Sequence, residues 1–168
     1  MSDDASALSS PDDFDAFFYE LLPQVLRLAG RMTVDHATAE DVAAEAFARA
    51  FARWARLKVL PHREAWVLRV TSNVAIDLFR RRRPPATRTP AQADPGEVVT
   101  LRVSLVEALR ALPKRQREAV VLRYLADLSE ADVASALGVR PGTVKSQLHR
   151  ARRSLADRLG ADPEEVPI

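Results

Sequence analysis

The side chains best suited to chemistry lie near the end of the chain, and the chemistry is recognition of a polyanion. At about 100° per residue from Val144, the residues Leu148, Ala151 and Leu155 fall within about 40° of it and make one apolar stripe. Gly142, Ser146, His149 and Arg153 stand opposite, with Lys145 and Arg150 on the flanks. In a major groove arginine grips guanine bidentately, while serine and neutral histidine donate or accept. Upstream, Ser129-Glu-Ala-Asp132 reads as a capping box opening a short helix to about Leu137. Gly138-Val-Arg140 makes a turn, and a basic helix runs from Pro141 to about Leu159. This is the spacing of a helix-turn-helix. A solvated face on an ordinary αα-hairpin is the plain alternative, but the glycine turn and the clean basic face favour DNA.

A second cationic region comes earlier. Residues 49–88 sum to +9, whereas residues 1–48 sum to −8. Residues 89–139 sum to −1, 140–158 to +5 and 159–168 to −3, so a formal charge of only +2 hides two basic blocks, each beside an acidic one. A melted strand needs a cationic track and amide-type donors and acceptors, and the first basic block supplies both, with Asn73 as the amide. Asn73 has a structural alternative, pairing with Asp77 one turn later.

Other chemistries find little support. The chain has no cysteine, which removes disulfides, thiol nucleophiles and thiolate metal sites, and fits a reducing compartment. His36, His62 and His149 form no metal-ligand pair, and there is no glycine-rich phosphate loop or nucleophile elbow. Asp41 and Glu45 share a helix face without catalytic partners. No enzyme activity and no cofactor are expected. No apolar stretch approaches the ~20 residues of a membrane span, and the start, Met1-Ser-Asp-Asp, is acidic where a signal peptide is basic. A cytoplasmic protein without membrane insertion is expected.

The elements that must carry these residues are helical throughout. Glycine is scarce at 5 of 168 residues, and the apolar period is 3 to 4. A first helix is predicted from about Asp13 to Arg31, kinked or split at Pro23. Thr38-Ala-Glu-Asp41 reads as a capping box for a second, reaching about Leu57. The loop Lys58–His62 follows, then a helix from about Arg63 to Arg83. That helix is apolar on two sides (Trp66, Val67, Val70 and Val74; Leu68, Ala75 and Phe79), as a helix wedged between neighbours must be. Four prolines between Pro84 and Val98 read as an extended linker. Helices over Thr100–Ala111 and Pro113–Leu125 lead into the helix-turn-helix. The fold class is all-α: two small helical domains, 12–83 and 99–160, joined by a flexible linker, 84–98.

Four motifs in order carry a family resemblance. Ala39-Glu-Asp-Val-Ala-Ala-Glu-Ala-Phe47 resembles region 2.2 of sigma-70 factors. Arg63-Glu-Ala-Trp-Val-Leu-Arg-Val-Thr-Ser-Asn-Val-Ala-Ile-Asp77, with the arginines after it, resembles regions 2.3 and 2.4. Leu112-Pro-Lys-Arg-Gln-Arg-Glu-Ala-Val-Val-Leu-Arg-Tyr124 and Gly142-Thr-Val-Lys-Ser-Gln-Leu-His-Arg-Ala-Arg152 resemble region 4. The likeness covers about residues 13–158 and lacks the extra regions of housekeeping factors, which is the plan of the extracytoplasmic-function (ECF) group.

The resemblance implies an initiation factor that binds core RNA polymerase and directs it to promoter DNA. Region 2 of the family docks on the β′ clamp helices and opens the −10 element; region 4 sits on the β flap and reads the −35 element. An anti-sigma factor is a further partner of the kind the family admits. By position, Asp41, Glu45 and Phe47 fall at or near the polymerase contact, although packing alone assigns Phe47 and Trp66 to the core. Lys58, Leu60, His62 and Asn73 fall at the −10 base, with Arg80 and Arg81 on the adjoining strand. Arg140, Thr143, Lys145, Ser146, His149, Arg150 and Arg153 fall at the −35 element. Three departures bear on this: Ala44 replaces a polar residue often Gln, Arg140 stands where Ser commonly caps, and Gln147 replaces a common Arg. The rival is a free-standing helix-turn-helix regulator with a sensing or dimerising N-terminal half. It leaves Arg80–Arg83 and the linker without a use.

Overall fold

The computed structural model describes residues 11–82 and 97–159, and these are helical with no strand among them. α1 spans Pro11–Met32, α2 His36–Phe51, α3 Trp54–Leu57 and α4 Arg63–Arg82. After the undescribed stretch come α5 (Glu97–Ala111), α6 (Lys114–Val120), a π-helical turn (Val121–Leu125), α7 (Glu130–Leu137) and α8 (Pro141–Leu159). Nearly all of the linker expected over 84–98 lies outside the described residues; its last two, Glu97 and Val98, open α5.

α1, α2 and α4 pack on one another and make the first unit. α1 places Phe14, Phe17, Leu21, Val25 and Leu28 on its buried side. It runs through Pro23 as one helix, so the expected split does not occur. Pro23 is exposed, where the carbonyl it leaves without a donor faces water. Aromatic residues fill the end of the unit. Trp54 lies 5.2 Å edge-on from Phe14 and 4.9 Å from Phe17, and Phe18 meets Phe47 edge-on at 4.6 Å. Each such pair adds roughly 0.5–1.5 kcal/mol beyond the area it buries.

The start of α2 differs from the expected capping box. Asp35 is the N-cap: its Oδ1 accepts the Thr38 amide at 2.7 Å and its Oδ2 accepts the Thr38 hydroxyl at 2.8 Å. A carboxylate reaches the orphan amide at N3 and also suits the positive end of the helix dipole, so Asp35 outcompetes Thr38 for the cap. The far end of α2 is Phe51, and the remaining turn to Leu57 is the separate helix α3. α4 is wedged as its two apolar sides require. Ala65, Val67, Leu68, Val74, Ala75 and Ile76 are buried, and it packs against α1, α2, α5, α7 and the π-helical turn.

In the second unit α6 and α7 pack on α8. Ser129 caps α7 as expected, accepting the Asp132 amide at 3.1 Å. Gly138 closes it with a left-handed φ of 64°, and the Val139 amide reaches back to the Ala134 carbonyl at 2.9 Å. Only a residue without Cβ takes that φ at no cost, and this turn sets the angle between α7 and α8. The π-helical turn replaces the regular end expected for the Pro113–Leu125 helix. Its wider bore puts Val121 and Leu122 fully in the core and turns Tyr124 toward α8.

The two units touch. α5 packs on α1 and α4 as well as on α8, and the π-helical turn packs on α4. Gln24 Nε2 donates to the Ala126 carbonyl at 2.9 Å, and Arg31 Nη1 donates to the Leu125 carbonyl at 2.6 Å.

Candidate nucleic-acid and protein interfaces

α8 is built as its sequence period requires. Val144, Leu148, Ala151 and Leu155 are buried against α6 and α7. Arg140, Thr143, Lys145, Ser146, His149, Arg150 and Arg153 are all exposed. The Ser146 hydroxyl donates to the Gly142 carbonyl at 2.9 Å, which leaves its oxygen lone pairs facing outward as acceptors. Arg140 supplies no side-chain cap. Its carbonyl accepts the Thr143 amide at 2.8 Å, and Pro141 holds the first helical position, where its missing N–H costs nothing. The guanidinium is therefore free to act on a phosphate.

Arg152 does not share that face. It is half-buried, and its Nη2 donates to the Tyr124 hydroxyl at 2.8 Å. The pair ties the middle of α8 to the π-helical turn. Sequence reasoning had no signal for it, because the partners lie 28 residues apart and the turn itself was unforeseen.

A groove of about 280 Å³ lies between α2 and α4, lined by Asp41, Val42, Glu45, Arg49, Val74, Asp77, Leu78 and Arg81. It brings together Asp41 and Glu45 with Arg81, residues expected at different ligands. Glu45 is held by Arg49 at 2.8 Å, and Asp77 pairs with Arg80 at 3.6 Å. The acids of α2 therefore sit on the rim of the cationic end of α4. Phe47 lies beneath this face, 4% exposed, and holds α2 through Phe18 rather than offering contact area. Ala44 is exposed on the same helix, so the departure there removes a polar group from the surface and not from the core.

Asn73 is half-buried on α4 and has no side-chain hydrogen bond among the described residues; Asp77 turns to Arg80 instead. The loop 58–62 is fixed at its base. Arg63 Nη1 donates to the Lys58 carbonyl at 3.1 Å, and the His62 carbonyl accepts the Trp66 amide at 3.2 Å. Its tip presents Val59, 73% exposed, and Leu60. Lys58 and His62 are half-buried at its base, while Arg80 and Arg81 are exposed at the end of α4. Val59 was not foreseen as a site residue, yet two adjacent exposed aliphatic residues on an anchored loop make an apolar tip suited to wedging. No cluster of metal-ligating side chains occurs among the described residues.

Two family models match in chain order: sigma-70 region 2 over residues 17–84 and sigma-70 region 4 over residues 102–155. The chain belongs to the sigma-70 family of RNA polymerase sigma factors, in its ECF group. The RNA polymerase sigma-E factor of Streptomyces coelicolor is 32% identical over 154 residues, spanning 89% of this chain and 87% of that protein. The ECF RNA polymerase sigma factor SigL of Mycobacterium tuberculosis is 35% identical over 154 residues, spanning 83% and 85%. Among solved structures, sigma factor RpoE of Bartonella quintana, in complex with the anti-sigma factor NepR, is 25% identical with a TM-score of 0.54, covering 90% of this chain and 99% of that one. CnrH, in complex with the cytosolic domain of CnrY, shares the fold at a TM-score of 0.57 and 24% identity, covering 92% of each chain. The α2–α4 groove and the 58–62 loop thus belong to region 2, and the exposed face of α8 to region 4.

Proposed function

We propose that this chain binds core RNA polymerase and directs it to promoters, region 2 opening a −10 element and region 4 reading a −35 element. One observation carries the reading: within the region 4 match, α8 buries one apolar stripe and exposes Arg140, Lys145, Ser146, His149, Arg150 and Arg153 together. Ser146, His149 and Arg150 lie on its N-terminal half, the part that reaches base edges in helix-turn-helix docking. Arg153 lies further along, at the height of the phosphates. Asp41 and Glu45 are the polymerase-facing acids of α2, and Asn73 with the 58–62 loop receives a base flipped from the −10 element. An unpartnered amide on a basic helix suits a Watson–Crick edge, and Arg80 and Arg81 suit the strand beside it.

The protein acts without catalysis of its own, in the cytoplasm where polymerase and promoters are. No helix among the described residues is long and apolar enough to cross a membrane. An anti-sigma factor is the further partner class, by analogy with the sigma factor RpoE of Bartonella quintana and its anti-sigma factor NepR. The test is promoter binding by gel shift with and without core polymerase. Two small DNA-facing units are expected to give a specific complex only with core; equally tight specific binding by the chain alone would refute the reading.

A further inference from the structure

A pocket of about 420 Å³ opens at the root of the 58–62 loop, lined by Asp13 of α1, Trp54 of α3, Lys58, Val59 and Arg63. Its walls hold more donors than the described residues use. Trp54 is 5% exposed, and its indole Nε1–H is buried with no acceptor among them. Arg63 Nε is buried as well and makes no hydrogen bond; Glu64 Oε1 lies 3.2 Å away, an ion pair without the alignment of a bond. Buried polar groups are paired in the great majority of cases, so two orphan donors on residues of one pocket call for an acceptor there.

Neither side chain can turn away to find one. Trp54 is wedged between Phe14 and Phe17, at 5.2 and 4.9 Å. Arg63 is fixed by its Nη1 bond to the Lys58 carbonyl and by the Phe17 ring, 5.4 Å from its guanidinium carbon. The acceptor must therefore come to them. Charge decides what kind: Lys58 and Arg63 line the pocket, Arg53 and Arg56 flank Trp54 in the chain, and Asp13 is the one acid among the lining residues. A carboxylate answers both the orphan donors and the cations.

The chain carries such groups beside the pocket. Asp13 lies on the first turn of α1, so residues 1–10 join the helix next to the pocket wall. They hold Asp3, Asp4 and four serines, with no basic side chain. Asp4 stands seven residues before Pro11, a span of at most ~25 Å, so either aspartate has the reach to turn back onto Trp54. Leu8, five residues before Asp13, is the branched aliphatic of the segment, and Val59 on the pocket rim is 73% exposed. A segment tethered this closely acts at an effective concentration in the millimolar range, enough for contacts too weak to hold a free ligand.

We propose that residues 1–10 dock back on this pocket, a carboxylate of Asp3 or Asp4 accepting from Trp54 Nε1 and pairing with Lys58 and Arg63, and hold the root of the 58–62 loop until a melted DNA strand displaces them. The competition rests on the sigma-factor reading, in which the same loop receives the −10 strand; the docking is a property of the chain alone. Segment and strand both draw on Lys58, so they exclude one another. The fraction of chains with the segment seated lowers the apparent affinity for a strand in proportion.

The chain has two tryptophans, so a nitrogen–proton correlation spectrum of the full-length protein carries two indole signals, and Trp66→Phe identifies that of Trp54. Asp3→Asn/Asp4→Asn is expected to shift the Trp54 signal and leave that of Trp66 in place, with helical circular dichroism unchanged. Asp162→Asn/Glu164→Gln, which removes as much charge at the other end of the chain, is expected to shift neither. In fluorescence anisotropy with a short mixed-sequence DNA strand, the Asp3/Asp4 variant is expected to bind ~3-fold or more tighter than wild type, and the charge-matched control less than that. A Trp54 signal identical in wild type and the Asp3/Asp4 variant means that water serves the indole, and overturns the docking. A shifted signal with no gain over the control in strand affinity overturns the competition. Absence of strand binding by every form, with or without core polymerase, refutes the sigma-factor reading and the competition with it, while the Trp54 signal still decides the docking.

Discussion

The hydroxyl of Tyr124 accepts a 2.8 Å hydrogen bond from Arg152, joining the π-helical turn to the middle of the recognition helix. One basic residue of α8 is thereby turned off the exposed face and committed to holding the helix. The exposed cations on either side of it, Arg150 and Arg153, are carried at a fixed angle to α6 and α7 as a result.

Tyr124→Phe removes that acceptor while keeping the ring. A half-buried hydrogen bond of this kind contributes about 0.5–1.5 kcal/mol. The melting midpoint is expected to fall by a few degrees in a thermal scan. Promoter affinity should drop for all −35 sequences alike, because no base contact is lost. A change in −35 preference would show that Arg152 or Tyr124 reads bases.

Arg150 and Arg153 should behave differently from one another. Arg150→Ala is expected to cost roughly 1–3 kcal/mol at one −35 position and to relax preference there. Arg153→Ala should weaken all promoters about equally and reduce the salt dependence by about one counterion. Holoenzyme binding across −35 variants at several salt concentrations measures both. A uniform loss from Arg150→Ala would mean that α8 enters the groove at another angle.

Asn73 is a test of region 2. With its amide unpartnered among the described residues, Asn73→Ala should leave the fold and core binding near wild type and slow open-complex formation on duplex promoters. A template already melted over the −10 element should recover only part of the loss, since the amide proposed to hold the flipped base is gone. Equal loss of core binding would make Asn73 a structural residue of α4.

Much of this molecule was readable before its structure because periodicity reports burial directly. The stripe Val144, Leu148, Ala151 and Leu155 is buried, and the residues opposite are exposed. Ser129 and Gly138 bound α7 as their chemistry requires. Capping at α2 was misread by three residues because both Asp35 and Thr38 are competent caps, and only the backbone geometry chooses. Phe47 stood at a motif position yet lies in the core, since a motif fixes sequence register and not which way a side chain faces. The seam between regions was illegible for another reason. Gln24 and Arg31 meet backbone carbonyls about a hundred residues away, and a carbonyl freed by a π-helical turn leaves no mark in residue type.

The most direct test of the central claim is run-off transcription by purified core polymerase on a genomic fragment library, with start sites mapped in the presence and absence of this chain. The account predicts discrete new start sites that appear only when the chain is added, each preceded by a shared pair of elements near −35 and −10. Transcription indistinguishable from core polymerase alone, over a range of chain concentrations that saturates the enzyme, would contradict it.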